Sequence, residues 1–241
     1  MPPRLVIGEV CGDCHGPADA PTARAATLLE RAGHAVIPID AARDPGAIQH
    51  VDLVLLGGQG CEGGVDKLAP YARPRQMFLH TALGEGVQLF DAVETAQAIV
   101  MCAHNLFGDV WVTSAADEVG ETVVGLLVAE MGGTNLPVAD TDRPVIEAAQ
   151  RLRSLEAEVR CDAYELVRSV VPDVEVVRAQ YLAAPAKPLP PAGAGQLNRL
   201  ADAIEDRAVR RVFIDLARRQ AERAGDTEAE LWAYSKYEGK L

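Results

Sequence analysis

The feature that most constrains this chain is a repeated alternation, over its first 131 residues, of short aliphatic segments with longer segments of helical periodicity. The aliphatic segments are rich in Val, Ile and Leu, as expected of strands that are buried on both faces of a sheet. They comprise residues 4–10, 34–39, 51–56, 76–81, 98–102 and 110–113. Helical spacing follows the first segment, at Ala25, Leu28 and Ala32, and follows the last one between residues 117 and 131. Because strands connected through helices pair in parallel, the pattern predicts an α/β fold with a Rossmann-type doubly wound, mainly parallel sheet.

The pattern changes after residue 140, where the strand-like segments stop. Residues 144–171 are predicted to form one long helix or two, and residues 184–193 form a proline-rich connector that cannot be helical. A further helix is predicted beyond the connector, with one face formed by Val209, Val212, Phe213, Leu216 and Gln220. We therefore expect a sheet domain over residues 1–140, followed by a small all-helical C-terminal domain over residues 141–241.

Charge and hydropathy exclude several classes of partner. The net charge of −12 opposes nonspecific binding to nucleic acid or anionic lipid, which depends on clustered Lys and Arg. No stretch approaches the roughly 18 apolar residues of a membrane span, and the N-terminal apolar run is too short for a signal peptide. We therefore expect a cytoplasmic protein whose partner is a small-molecule substrate, with no nucleic acid and no membrane. Five cysteines in a chain of this class are expected to be reduced thiols.

A glycine-containing loop follows the first predicted strand. In a dinucleotide-binding fold, glycines in this loop let the backbone approach a pyrophosphate at the N-terminus of the next helix. Gly12 and Gly16 lie in the loop, but Ala18 and Pro21 occupy the positions of the second and third glycines of the usual fingerprint. The loop is therefore either a degenerate cofactor loop that binds a dinucleotide weakly, or an ordinary turn.

An acidic residue at the end of the second predicted strand has a clearer interpretation. Asp40 lies about 20 residues beyond the glycine loop, where an acidic side chain accepts hydrogen bonds from the ribose hydroxyls of NAD. Arg43, three positions later, would instead suit the 2′-phosphate of NADP. The alternative interpretation of Asp40 is a simple turn residue, and the cofactor is left open as NAD or NADP.

Several segments together resemble the 6-phosphogluconate dehydrogenase-like superfamily, and in particular its small Rossmann-like dehydrogenases of unassigned substrate. The similar segments are residues 51–56, 77–81, 103–105, 112–115 with Glu118, and 130–133. The resemblance implies a nucleotide-binding domain and a reduced helical domain, which in relatives commonly builds the dimer and closes over the substrate. It also implies that the loops after the third to fifth strands face the nicotinamide. These loops contain Gly57, Gly58, Gln59, His80, Thr81, His104 and Asn105.

The function implied by this resemblance is an NAD(P)-dependent oxidoreductase that acts on a small oxo, hydroxy or amino-acid-like metabolite. His80 and His104 are the candidate acid/base or orienting residues, with Asn105 beside them, and either histidine could instead be structural. The chain departs from the superfamily at Glu147 and Arg151, where many relatives have a catalytic Lys or His. The alternative is a non-catalytic nucleotide- or metabolite-binding protein with a degenerate cofactor loop.

Cysteine and histidine spacing raises two further alternatives. Cys11, Cys14 and His15 match the c-type haem attachment pattern, but that chemistry belongs to exported proteins. Zinc is the stronger competitor, because a parallel sheet would bring these residues to one edge with other candidate ligands. Those other candidates are Cys61, His80, Cys102 and His104. Reduced thiols without a metal remain the main expectation.

The C-terminal helices also predict an oligomeric state. Phe213, Leu216 and Trp232 would give apolar faces larger than a small domain can cover. We therefore expect a homodimer.

Overall fold

The computed structural model describes residues 4–10, 21–57, 62–171, 173–184 and 192–238, and every structural statement below concerns those residues. The chain divides into two compact units, Met1–Arg151 and Leu152–Leu241, which we describe separately. The first unit ends eleven residues after the predicted boundary at residue 140 and includes most of the helix that begins at Arg143. The predicted division into domains at residue 140 stays a prediction.

The first unit is built on a seven-stranded sheet with the order β2-β1-β3-β4-β5-β6-β7. Strands β1 to β5 are parallel, β6 returns antiparallel to β5, and β7 is parallel to β6. The strands are β1 (Val6–Val10), β2 (Ala35–Ile39), β3 (Leu53–Leu56), β4 (Met77–His80), β5 (Ile99–Phe107), β6 (Val110–Ala115) and β7 (Thr134–Pro137). The predicted doubly wound, mainly parallel sheet is confirmed.

Helices cover both faces of this sheet. They are α1 (Pro21–Ala32), α2 (Glu62–Leu68), α3 (Asp91–Glu94) and α4 (Glu118–Glu130), and a further helix, α5 (Arg143–Ser154), follows β7. Because successive strand residues point to opposite faces, Leu79 packs in the core beneath α1 and α4. Its neighbour Phe78 packs in the opposite core, which also contains Leu68 of α2 and Val93 of α3. Aliphatic strands buried on both sides are thus explained by two separate layers of helices.

Local signals in the sequence determine where the main helices begin and end. Pro21 opens α1, and Gly33 follows its last turn with a φ of +104°, a conformation that favours glycine. Asp117 caps α4 by accepting a hydrogen bond from the Gly120 amide at 2.7 Å. Helix α4 matches its predicted extent closely, and α1 contains the predicted helical positions Ala25, Leu28 and Ala32.

The structure differs from the expected pattern at the β5–β6–β7 edge of the sheet. Strand β5 extends to Phe107, beyond the aliphatic segment, because β6 pairs with it antiparallel through a tight turn at Gly108. Strand β7 was not predicted, since its residues are mostly exposed and only one of them is aliphatic. A short edge strand of this kind has no fully buried face, so its sequence lacks the run of aliphatic residues from which the other strands were predicted.

The second unit is helical, as predicted. It contains α6 (Glu156–Arg168), α7 (Arg178–Ala183), α8 (Ala194–Ala203), α9 (Arg207–Ala224) and α10 (Thr227–Glu238). Helices α8, α9 and α10 share a small core that includes Leu197, Ile214 and Trp232. On the predicted face of α9, Val212 and Leu216 are exposed, and the buried Ile214 was not among the residues assigned to that face. Within the described ranges, no helix is both long and apolar enough to cross a membrane.

Candidate functional site

Three polar side chains, which we call the polar row, lie side by side on the neighbouring strands β4, β5 and β6. His80 of β4 lies beside Cys102 of β5, which lies beside Ser114 of β6. These residues continue the face on which Phe78 packs, but they replace its apolar side chains with groups that hydrogen-bond. The loop formed by residues 81–87 follows β4, and the Cys102 thiol donates to the Ala82 carbonyl oxygen at 3.6 Å.

His80 is enclosed in this row. It is 1 % exposed, and its Nε2–H donates to the Gly86 carbonyl oxygen at 3.0 Å. Burial lowers its pKa to about 4, so the ring is neutral at physiological pH. Its Nδ1 atom has no hydrogen-bond partner among the described residues. The structure therefore gives His80 an orienting position beneath the loop and no direct access to solvent.

A buried ion pair lies beside the row and was not recognised from the sequence. Arg143, at the start of α5, is completely buried, and its Nε donates to Asp140 Oδ1 at 3.0 Å. Ser114 donates its hydroxyl to the same carboxylate oxygen at 2.6 Å and accepts from Arg143 Nη2 at 2.9 Å. Asp140 Oδ2 accepts from the Val87 amide at 2.9 Å, which ties the loop to the cluster.

The electrostatics of this cluster follow from its hydrogen bonds. Burial alone would raise the pKa of Asp140, but donors from Ser114, Val87 and Arg143 hold that pKa below its usual range. Asp140 is therefore ionised and balances the Arg143 charge. The Arg143 Nη1 atom is buried and has no hydrogen-bond partner within the described part of the chain.

His104 occupies a more open position, two residues beyond Cys102 on the same face of β5. Its side chain is half-buried, and its Nδ1 lies 2.7 Å from the Thr81 carbonyl oxygen. Because a carbonyl oxygen only accepts hydrogen bonds, Nδ1 must carry the proton in the neutral ring, and Nε2 then has a free lone pair. Burial, helped by the Arg143 charge, lowers the pKa of His104, while Glu147 acts in the opposite direction. This histidine is thus held as a proton acceptor near neutral pH.

Helix α5 presents polar residues to this site at helical spacing. Arg143 contacts Ser114 and Asp140, while Gln150 donates to the Leu106 carbonyl oxygen of β5 at 2.7 Å. Between them, the Glu147 carboxylate packs so closely on Gly84 that a Cβ at this glycine would overlap it. The spacing of residues 143, 147 and 150 was the signal that could have identified this face from the sequence.

The residues predicted to bind the ribose of a cofactor lie at the carboxyl end of β2. Asp40 follows β2, and its Oδ1 accepts from the amides of Ala42 and Arg43 at 3.1 and 3.2 Å. Its Oδ2 lies 3.6 Å from Arg43 Nε, and the side chains of Asp40 and Arg43 are 55 % and 89 % exposed. Asp40 is therefore a turn residue whose second carboxylate oxygen remains accessible.

Gly57 and Thr81 belong to a close contact between the strand ends and α1. A Cβ at Gly57 would overlap the Thr22 side chain, so the close packing of Thr22 on this backbone requires glycine. The Thr22 hydroxyl also lies 2.7 Å from the Thr81 hydroxyl. The ends of β3 and β4 are thereby joined to the first turn of α1, next to the residue that orients His104.

Asn105 has a local structural contact. Its Nδ2 lies 3.1 Å from the carbonyl oxygens of both Gly108 and Val110, and donates to them across the turn between β5 and β6. Both amide protons of Asn105 are thus directed into the hairpin. The structure brings together His80, Thr81 and His104, but it does not turn the amide donors of Asn105 towards them.

Some candidates lie outside the described residues. These are Gly12, Gly16, Gly58 and Gln59 of the proposed cofactor site, and Cys11, Cys14, His15 and Cys61 of the metal alternative. Within the residues that the structure does describe, no group of three His, Cys, Asp or Glu side chains is arranged to hold a metal ion. Burial raises the pKa of the Cys102 thiol to about 12, so this cysteine is a neutral thiol.

A cavity of about 430 Å³ opens beside the ion pair, between α4 and the strands β6 and β7. Its polar lining consists of Thr113, Ser114, Glu121, Asn135 and Asp140. These groups largely satisfy one another, since Thr113 donates to Asn135 Oδ1 at 2.6 Å and Ser114 donates to Asp140. Most of the polar lining of this cavity is therefore engaged in hydrogen bonds within the protein.

Comparison with known proteins gives a family match over the C-terminal part of the chain. Residues 139–236 match the family described as 6-phosphogluconate dehydrogenase C-terminal domain-like. This match, which begins one residue before Asp140, confirms the resemblance noted in the sequence. No curated protein sequence matches the chain.

Solved structures share the fold over nearly the whole chain at low sequence identity. Mycobacterium tuberculosis 3-hydroxyisobutyrate dehydrogenase, with L-serine, is 14 % identical with a TM-score of 0.50, covering 98 % of this chain and 94 % of its own. Prephenate dehydrogenase from A. aeolicus, with hydroxyphenyl propionate and NAD+, is 12 % identical with a TM-score of 0.53. The match covers 99 % of this chain and 88 % of the prephenate dehydrogenase chain. Reductive aminase from Aspergillus terreus, with NADPH4, cyclohexanone and allyl amine, is 15 % identical with a TM-score of 0.53. The match covers 92 % of this chain and 88 % of the aminase chain.

Proposed function

We propose that this chain is an NAD(P)-dependent oxidoreductase that acts on a small oxo, hydroxy or amino-acid-like metabolite. The observation that carries the proposal is His104, a histidine with a defined neutral tautomer, at the carboxyl end of a parallel strand. Ligands of open α/β sheets bind beyond the carboxyl ends of the strands. The solved structures with the same fold include dehydrogenases and a reductase-type aminase, two of them with nicotinamide dinucleotides bound.

The described residues fit a dinucleotide at this edge. The accessible carboxylate of Asp40 suits the ribose hydroxyls, and the exposed guanidinium of Arg43 beside it suits a 2′-phosphate. The absence of a side chain at Gly57 lets the end of β3 lie closely against Thr22 in the first turn of α1. When bound, the nicotinamide would supply a hydride acceptor or donor.

His104 would move the proton that accompanies this chemistry. In the oxidative direction, the lone pair on Nε2 accepts the proton of the substrate hydroxyl or amine, while Nδ1–H stays bonded to the Thr81 carbonyl oxygen. The protonated ring is then stabilised by the Glu147 carboxylate, which favours the charged form. In the reductive direction, the same ring returns the proton. His80, Asp140 and Arg143 would hold the loop that positions Thr81.

The first test is binding of NADH and NADPH, measured by nucleotide fluorescence and by thermal shift. We expect saturable binding of at least one dinucleotide, with a stabilisation of about 2.7 kcal/mol at 100 times the dissociation constant. Asp40→Ala should weaken NADH binding, and Arg43→Ala should weaken NADPH binding relative to NADH. Asp66→Ala, which removes an exposed carboxylate from α2, is the matched control and should change neither.

The second test is catalysis by the variant His104→Asn. Because the shorter amide lacks the basic ring nitrogen, we expect loss of hydride transfer with dinucleotide binding retained. Absence of binding for both dinucleotides would contradict the proposal and favour a non-catalytic metabolite-binding protein. Full activity of the variant would remove His104 from the mechanism.

A further inference from the structure

Two hydrogen-bond acceptors contact the loop after β4 and are close enough to interact electrostatically with each other. His104 reaches the loop from β5 through its bond to the Thr81 carbonyl oxygen at 2.7 Å. Glu147 reaches it from α5, where the carboxylate packs against Gly84. Both side chains are half-buried, so a ligand in solvent can approach them without rearrangement of the core.

The positive charge nearest to these acceptors is not presented to a ligand. Arg143 is completely buried, and Asp140 at 3.0 Å balances its charge. By contrast, none of the ion pairs among the described residues involves Glu147. Among the described residues, Glu147 and His104 therefore present a carboxylate and an imidazole lone pair at this loop.

From this arrangement we propose that the site recognises a protonated amino group of the substrate, which donates to the Glu147 carboxylate and to Nε2 of His104. The inference rests on the proposed function and narrows its substrate class to amines and amino acids. An ammonium has three N–H donors and a charge opposite to that of Glu147, and hydrogen bonds between charged groups are the stronger class. A substrate carboxylate at the same position would meet acceptors only.

The same contacts define the proton step. His104 Nε2 takes one proton from the bound ammonium, which leaves a neutral amine with its lone pair on nitrogen and a positively charged imidazolium. The Glu147 carboxylate lies near the group that carries the positive charge before and after the transfer, and it favours the protonated ring of His104. The substrate thus reaches the uncharged form from which an amine can be oxidised.

The test uses three probes of one carbon skeleton: n-butylamine, sodium n-butyrate and 1-butanol at pH 7. Binding to the full chain is followed by NMR of ¹⁵N-labelled histidine, which reports on Nε2 of His104, and by thermal shift. We expect n-butylamine to bind about tenfold more tightly than n-butyrate, since one charge-assisted hydrogen bond is worth about that factor. Its binding should perturb the Nε2 resonance.

Two variants of Glu147 separate charge from shape. Glu147→Gln should weaken n-butylamine binding about tenfold and leave 1-butanol unchanged, and Glu147→Lys should reverse the preference towards n-butyrate. Glu94→Gln, an exposed position on α3, is the matched control and should have no effect. Circular dichroism of each variant reports whether it is folded. If a variant does not fold, the preference of the wild-type protein for n-butylamine over n-butyrate still tests the amine site.

The outcomes distinguish this inference from the proposed function. Binding of a dinucleotide together with a preference for n-butyrate would overturn the amine site and leave the oxidoreductase proposal standing. Binding of n-butylamine that depends on Glu147, without dinucleotide binding, would support the amine site and contradict the oxidoreductase. An Nε2 resonance that no probe perturbs would overturn the amine site.

Discussion

His80 and His104 lie on neighbouring parallel strands, yet their surroundings give them different chemistry. His80 is 1 % exposed, and its one hydrogen-bonded nitrogen contacts the loop that covers it. His104 is half-buried, and its hydrogen bond to Thr81 leaves the other nitrogen as a free acceptor. Burial lowers the pKa of both rings, so both are neutral at pH 7, but only His104 can exchange a proton with a ligand.

At the residue scale, we predict that His104 titrates below its ordinary pKa of 6.5 and that Glu147 limits this shift. Because the Glu147 carboxylate favours the protonated ring, Glu147→Gln should lower the pKa of His104 further. Histidine NMR across pH 4 to 8 measures this midpoint. Glu94→Gln should leave it unchanged, and a midpoint that rises in Glu147→Gln would contradict the assignment.

The second prediction concerns His80 and the stability of the fold. The folded-state pKa of about 4 lies below the ordinary value of 6.5, so the unfolded chain binds a proton that the folded chain does not. The contribution of His80 to the free energy of unfolding should therefore be fully present above pH 6.5. It should fall by about 3 kcal/mol as the pH decreases from 6.5 to 4. Urea unfolding at several pH values measures the loss.

Replacement of His80 checks the origin of that loss. His80→Gln keeps a donor for the Gly86 carbonyl oxygen but has no titratable ring, so its stability at pH 7 should be lower and its dependence on pH weaker. An unchanged slope between pH 6.5 and 4 would assign the acid sensitivity to other groups.

At the scale of elements, the loop after β4 and helix α5 form one assembly. Asp140 binds the Val87 amide, His80 binds the Gly86 carbonyl oxygen, and Glu147 packs on Gly84. A Cβ at Gly86 would overlap the Asp140 carboxylate, which its hydrogen bonds hold in place, whereas a Cβ at Gly84 would displace the end of the Glu147 side chain. This assembly fixes the Thr81 carbonyl oxygen, and through it the tautomer of His104.

We predict that Gly86→Ala destabilises the first unit. A Cβ at this position would overlap the Asp140 carboxylate, which is held by Ser114, Val87 and Arg143 and cannot move freely. The expected cost is about 1–3 kcal/mol in urea unfolding. Gly64→Ala is the control, because nothing lies within 4 Å of the added Cβ in α2. A cost at position 86 no greater than that at position 64 would show that the assembly is loose.

At the scale of the whole molecule, the oligomeric state stays a prediction. Of the three side chains that suggested a homodimer, Trp232 is buried and Phe213 packs against the core of the second unit, while Leu216 is 50 % exposed. Leu231 adds a second exposed apolar side chain at 63 %. The remaining apolar surface is smaller than the sequence suggested, yet still substantial for a helical unit.

We expect light scattering at micromolar concentration to give twice the chain mass of 25.7 kDa. If the exposed leucines form the interface, Leu216→Glu should shift the protein towards monomer without loss of helical content, since this side chain is not part of the core. Glu228→Gln on α10 is a surface control. A monomeric wild-type protein would refute the homodimer.

Hydrophobic patterning by itself determined much of this protein. Strands such as β3 and β4 are aliphatic because both of their faces are buried, and α1 and α4 carry their own start and stop signals at Pro21, Gly33 and Asp117. These properties are local, so the sequence reveals them without knowledge of contacts. The parallel arrangement then predicts that His80, Thr81 and His104 lie near the same edge of the sheet.

Only the tertiary structure decided what each of these side chains can do. Strand β6 pairs antiparallel with β5, which places Ser114 beside Cys102 and brings Asp140 and Arg143 over the polar row. Burial of Arg143, the tautomer of His104 and the contact of Glu147 with Gly84 all depend on partners distant in the chain. Proton affinity and accessibility are set by such neighbours, because desolvation and nearby charge, not residue type, shift a pKa.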